Sequence, residues 1–142
     1  MKRAWMTIPA LLALLLLSSG AAQAQRDLMC KINVPFEFSA GGNHLPPGQY
    51  LVSHIFSRNL IRLERVDGHA AAHFQVVESV TDNREGTCRF VFNKYGEHIF
   101  LATIHRGGDE HVHNCFKCRA EQTLAAQSRP PQSVSVEERP SK

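Results

Sequence analysis

The chain lacks a Gly-x-Ser-x-Gly elbow, a phosphate-binding glycine loop, a dinucleotide glycine fingerprint and a His-Glu-x-x-His helix. Those absences remove the hydrolases, nucleotide enzymes and zinc peptidases that depend on these motifs. Glu64, Glu78, Glu85 and Glu97 are scattered carboxylates, and no spacing pairs them as acid and base. Solvated surface positions are expected for them, and a non-catalytic protein is favoured over an enzyme. No basic run is present, so nothing in the charge pattern suits nucleic acid or an anionic membrane surface. No internal repeat occurs, and no helical segment separates the apolar strand-like runs, which argues against a parallel α/β fold.

No apolar run reaches the roughly 20 residues of a membrane-crossing helix. The run that comes nearest, 8–17, follows Lys2 and Arg3 and precedes Ala22-Gln23-Ala24, a small-x-small cleavage signature. Residues 1–24 are therefore expected to be a signal peptide, and its removal leaves no transmembrane anchor. Cys30 lies beyond Arg26 and Asp27, too far from the apolar run for a lipoprotein cysteine. Removing 24 of 142 residues leaves 118, enough for one domain with a real core. Loss of Lys2 and Arg3 takes the formal charge from +3 to +1. The expected localisation is exported, periplasmic or secreted, in a bacterial envelope context.

What is present is mostly strand pattern. Ile32, Val34, Phe36 and Phe38 alternate with polar residues or proline, a period-2 signal for a half-buried strand. Pro35 has no amide to donate and predicts an edge or a bulge. Gly41-Gly42 ends this strand, and Pro46-Pro47-Gly48-Gln49 fits a turn leading into a second one over 50–56. Asp67-Gly68 is a type I′ hairpin signal. It pairs Ile61 with Phe74, Arg62 with His73 and Leu63 with Ala72, which gathers Ile61, Leu63, Ala72 and Phe74 on one face. Residues 78–85 read as a polar loop. A second hairpin over 88–105 turns at Tyr95-Gly96 and pairs Phe92 with Ile99 and Phe90 with Leu101. Phe36, Phe38, Phe90, Phe92 and Phe100 are expected to be plain core. Phe116, Ala120 and Leu124 fall at i, i+4 and i+8 and predict a short helix over 116–127. The tail, 128–142, is rich in proline, serine and charge and is expected to be disordered. The expected architecture is all-β and mainly antiparallel, a small β-sandwich or partly open β-barrel with a short C-terminal helix, formed by one domain over 25–127.

VPFEF at 34–38, LPPGQY at 45–50, FVFNKYGEHIFLA at 90–102 and CRAEQTLA at 118–125 carry a resemblance. Together they resemble a group of small, uncharacterised exported bacterial proteins with the pattern VPFxF…LPxGxY…LVFxxYGxxYFL…SRAExxLA. The resemblance covers 34–125 and implies an exported β-rich domain. It implies no activity and no catalytic residue. The chain departs from the pattern at 111–118, where the relatives usually lack a cysteine pair, so chemistry there would be particular to this chain.

That segment is the densest cluster of chemistry-bearing residues. His111, His113, Cys115 and Cys118 form His-x-His-x-Cys-x-x-Cys, two imidazoles and two thiols within eight residues. Zinc accepts such a set in tetrahedral geometry, and copper would accept it too. Export favours another use, since an even number of cysteines outside the cytoplasm favours disulfides. Cys30, Cys88, Cys115 and Cys118 are the candidates, and their connectivity stays open. A redox-active Cys115-x-x-Cys118 is a further alternative, although the βαβ context of a thioredoxin-like protein is missing. Haem attachment would need histidine after Cys118, where Arg119 stands. The other histidines, His44, His54, His69, His73, His98 and His105, are scattered and read as ordinary surface or half-buried residues. The expectation is thus an exported, non-catalytic binding or envelope-associated module. Its partner would be a protein or another envelope component. No cofactor is expected beyond zinc or copper in the alternative metal-binding reading, and a small periplasmic redox protein is the second alternative.

Overall fold

The computed structural model describes residues 26–55, 59–82, 86–127 and 130–139. The expected signal segment and the ends of the tail lie outside these residues. Ten strands and one helix follow in order: β1 (Arg26–Val34), β2 (Phe38–Ala40), β3 (Asn43–Leu45), β4 (Gly48–Ile55), β5 (Leu60–Arg65), β6 (Ala71–Val80), β7 (Arg89–Tyr95), β8 (His98–His105), β9 (His111–Cys115), α1 (Arg119–Gln127) and β10 (Gln132–Glu137). Neighbours run β1-β4-β5-β6-β9-β8-β2-β3, with β7 on the other side of β8 and β10 beyond it. The pairing is antiparallel except for a short parallel contact of β2 with β8. The sheet does not close into a barrel. Among the described residues no helix is long and apolar enough to cross a membrane.

β6 is the strand that bends this order into two layers. Its first half pairs with β5, Leu63 opposite Ala72 and Ile61 opposite Phe74. Its second half pairs with β9, Val76 opposite Cys115 and Glu78 opposite His113. Ile32, Val34, Val52, Ile61, Leu63 and Phe74 from one layer therefore meet Phe90, Phe92, Leu101 and Ile104 from the other in one core. Phe38 stacks edge-on against Tyr50 and Phe92, with ring centroids 5.4 Å from each. Cys30 on β1 is bridged to Cys88 before β7, tying the layers together across 58 residues of sequence. Closing a loop of that length contributes about 4 kcal/mol in the chain-entropy account.

The 61–74 hairpin register holds as the alternation requires. Its turn is longer than a two-residue type I′ turn. Arg65 N donates to Ala70 O and Gly68 N to Arg65 O, both at 2.8 Å, and only Gly68 takes a positive φ, +76°. Asp67 accepts from His69 N instead and avoids the left-handed backbone that type I′ would impose on it.

Several expectations are corrected. β1 ends at Val34, because Pro35 cannot continue the ladder, and Phe36 leaves the strand to pack on Phe92. The second hairpin turns at Gly96-Glu97, with Tyr95 opposite His98 and Phe92 opposite Leu101. Gly96 accepts the positive φ of +60°, which leaves Tyr95 free to be buried. β6 runs on through Glu78, Ser79 and Val80 in place of the expected polar loop over 78–85, of which 83–85 lie outside the described residues. The helix begins at Arg119, not 116, and Phe116 is 60% exposed. Its buried residue is Glu121, whose carboxylate accepts from Asn93 Nδ2 at 2.9 Å and Tyr95 OH at 3.5 Å on β7. Those bonds satisfy the buried carboxylate and override the apolar spacing. The tail is not wholly disordered, since Gln132–Glu137 adds a strand to β7. Val134 and Val136 alternate onto the core there and cover an edge that would otherwise be open.

Candidate metal centre

Two apolar stripes end in ligand-type side chains at the same end of the sandwich. On β4 the inward positions are Tyr50, Val52 and then His54; on β6 they are Ala72, Phe74, Val76 and then Glu78. The period-2 alternation carries each polar residue onto the core face just where the apolar packing stops. β9 supplies the third member, because His113 lies opposite both Glu78 on β6 and Ile104 on β8.

Glu78 Oε1 stands 3.6 Å from His54 Nε2 and 3.6 Å from His113 Nδ1. The two imidazole side chains are 3% and 4% exposed, and Glu78 is 38% exposed at the mouth. The rings tilt against each other with centroids 4.9 Å apart. All three donor atoms lie within 4.8 Å of one another, the one such set among the described residues. A tetrahedral ion with bonds of about 2.0–2.1 Å holds its ligand atoms about 3.3 Å apart, so small side-chain adjustments close this set on an ion. His113 Nδ1 is buried and has no hydrogen-bond partner. A buried polar atom in that state costs about 1–3 kcal/mol. Burial, followed by the proximity of His54, pulls the His113 pKa below its ordinary value. His113 is thereby held in the neutral form that a metal ligand requires.

The three residues line a cleft of about 380 Å³ with Met29, Arg106, Asp109 and His111. Arg106 and Asp109 sit on the corner between β8 and β9. That corner packs closely, since a Cβ on Gly107 would meet the backbone of Gly86 at 2.8 Å. Arg106 Nη1 donates to Asp27 Oδ2 at 2.9 Å. Asp109 Oδ1 accepts from His111 Nδ1 at 2.7 Å and from His111 N at 3.1 Å. This pairing raises the His111 pKa and lowers that of Asp109.

The sequence-predicted ligand set is only partly brought together. His113 is in the site. His111 lines the same cleft but is held by Asp109. Cys115 lies two residues further along β9, and Cys118 lines a different cleft with Phe74 and Phe116. The donor atoms of His111, His113, Cys115 and Cys118 do not converge, because β9 ends at Cys115 and Cys118 belongs to the entry of α1. Of the four cysteines, Cys30 and Cys88 are bridged, while Cys115 and Cys118 are free thiols. Burial, with Glu121 adding to it, pushes the Cys115 thiol up to about 12. A redox-active pair needs a thiolate of depressed pKa, so this environment opposes the redox reading.

Sequence reasoning does not find His54 and Glu78, which read along the chain as an ordinary histidine and a solvated loop carboxylate. The signal that finds them is phase, since each continues an inward apolar stripe. Comparison with protein-family models, curated proteins and solved structures finds no match to this chain.

Proposed function

We propose that this chain is an exported, non-catalytic β-domain that binds a divalent transition-metal ion through His54, Glu78 and His113. Zinc and copper(II) are the ions that two imidazoles and one carboxylate suit best in an oxidising compartment. The observation that carries the reading is the buried, unbonded Nδ1 of His113 facing a carboxylate oxygen at 3.6 Å, with a second buried imidazole 3.6 Å from the same oxygen. An ordinary structural histidine would be hydrogen-bonded at such burial. Export is supported by the signal-like first 24 residues and by the Cys30–Cys88 bridge, which belongs in an oxidising environment.

Elemental analysis and calorimetric titration with zinc and copper(II) test this. One equivalent should bind to the wild type, and His113→Ala should lose it while Cys115→Ser and Cys118→Ser keep it. Absence of binding to the folded wild type would sink the proposal. Loss of the ion on Cys115→Ser would return the site to the His-x-His-x-Cys-x-x-Cys segment.

A further inference from the structure

Three protein ligands leave an ion coordinatively open, and the opening here faces a cleft rather than bulk solvent. Its volume of about 380 Å³ falls in the roughly 300–1,000 Å³ range of small-molecule sites. Arg106 lines the same cleft. Among the described residues its guanidinium makes one ion pair, through Nη1 to Asp27. A guanidinium carries five N–H donors in a planar fork, so one end of the fork remains for a second acceptor. We infer that the metal-loaded cleft binds a small carboxylate, one oxygen on the ion and the other end of the group on Arg106. The inference rests on the metal-binding reading above.

Charge decides both the metal dependence and the class of anion. Without an ion, the Glu78 end of the cleft carries one negative charge and repels anions. A divalent ion turns that end to a single positive charge, beside the cation of Arg106. Asp27 pairs with Arg106 and Asp109 with His111, so the bound ion leaves about one positive charge to balance, which a singly charged carboxylate does and a phosphate dianion exceeds. The planar fork of Arg106 can hold a carboxylate oxygen beside its bond to Asp27. Met29 offers an apolar wall to whatever the carboxylate carries.

Cobalt(II)-loaded protein supplies the test, because its visible spectrum responds to a change in the ion's inner sphere. Titration with benzoate should give a saturable spectral change at millimolar concentration, and calorimetry on metal-free protein should show no benzoate binding. Arg106→Gln should keep one equivalent of cobalt and weaken benzoate by about tenfold or more, as expected for loss of a charged hydrogen bond. Asp27→Asn, which releases the competing carboxylate from Arg106, should strengthen it. Cobalt binding with no spectral response to benzoate would overturn the inference and leave the metal site standing, as would equal benzoate affinity in Arg106→Gln. Tighter binding of phosphate than of benzoate would overturn the carboxylate assignment. Failure of cobalt, zinc and copper alike to bind would remove the metal reading and the inference with it.

Discussion

Replacing Glu78 by Gln separates the cost of the metal site from the stability of the fold. The substitution keeps the side-chain shape and removes the charge that both His54 Nε2 and His113 Nδ1 face at 3.6 Å. In metal-free protein little should change. Glu78 is 38% exposed, the contacts are longer than hydrogen bonds, and His113 is held towards its neutral form. An effect under about 1 kcal/mol is expected, as for other solvent-screened pairs. Metal binding should change strongly, since an anionic ligand is lost. A second-sphere partner is worth about 10–100-fold in metal affinity, so a direct ligand should cost at least about 100-fold. With zinc at 100 times the wild-type dissociation constant, the wild type gains about 2.7 kcal/mol. The same zinc concentration only equals the variant's dissociation constant, which gives about 0.4 kcal/mol. For a domain of this size those values correspond to a rise in Tm of roughly 10 °C against about 2 °C. Thermal melts with zinc and with a chelator, on both proteins, make the comparison. Equal zinc-induced shifts in wild type and Glu78→Gln would refute the assignment of Glu78 as a ligand.

Other outcomes follow from the same geometry. Cys30→Ala with Cys88→Ala should lower stability by about 2–5 kcal/mol, read from denaturant unfolding of the oxidised protein, with little further loss on adding reductant. Alkylation followed by mass spectrometry at pH 8 should label Cys118 before Cys115; raising the pH towards 12 should bring Cys115 into reaction, because burial favours its protonated thiol and only alkali removes that proton. Rapid labelling of Cys115 at pH 8 would contradict its burial. Truncation after Gln127 removes β10 and uncovers one edge of β7, and it should cost about 1–3 kcal/mol and promote association, seen by melting and by size-exclusion chromatography. Glu121→Ala should cost about 1–3 kcal/mol, since it leaves Asn93 and Tyr95 without their acceptor, and Glu121→Gln should recover most of that loss.

Much of the strand pattern was legible along the chain. Ile61, Leu63, Ala72 and Phe74 share a face because alternation sets the face and Gly68 supplies the turn, and both signals are local. Cysteine content in an export context pointed to a disulfide, and the structure selected Cys30 with Cys88. The errors arose where a tertiary partner outweighed local composition. Glu121 is buried because Asn93 and Tyr95 bond it, whereas spacing had placed Phe116 on the inner face. Gln132–Glu137 is a strand because β7 has an edge to cover, although its composition reads as disorder.

The metal centre shows the division most clearly. From the sequence, His54 falls in an extended run over 50–56 and His113 in a dense His/Cys segment, while polar neighbours put Glu78 in a loop. Periodicity encodes the face a side chain occupies and carries no information on the strand that lies across from it. That positions 54, 78 and 113 meet is a product of the fold. The cause is β6, which leaves β5 after Gln75 and takes β9 as its partner, carrying Glu78 to His113 while the fold of the two layers brings His54 over both. The compact His-x-His-x-Cys-x-x-Cys segment was close in sequence, but β9 ends at Cys115 and the chain then enters α1, so its four donors were never directed at one point.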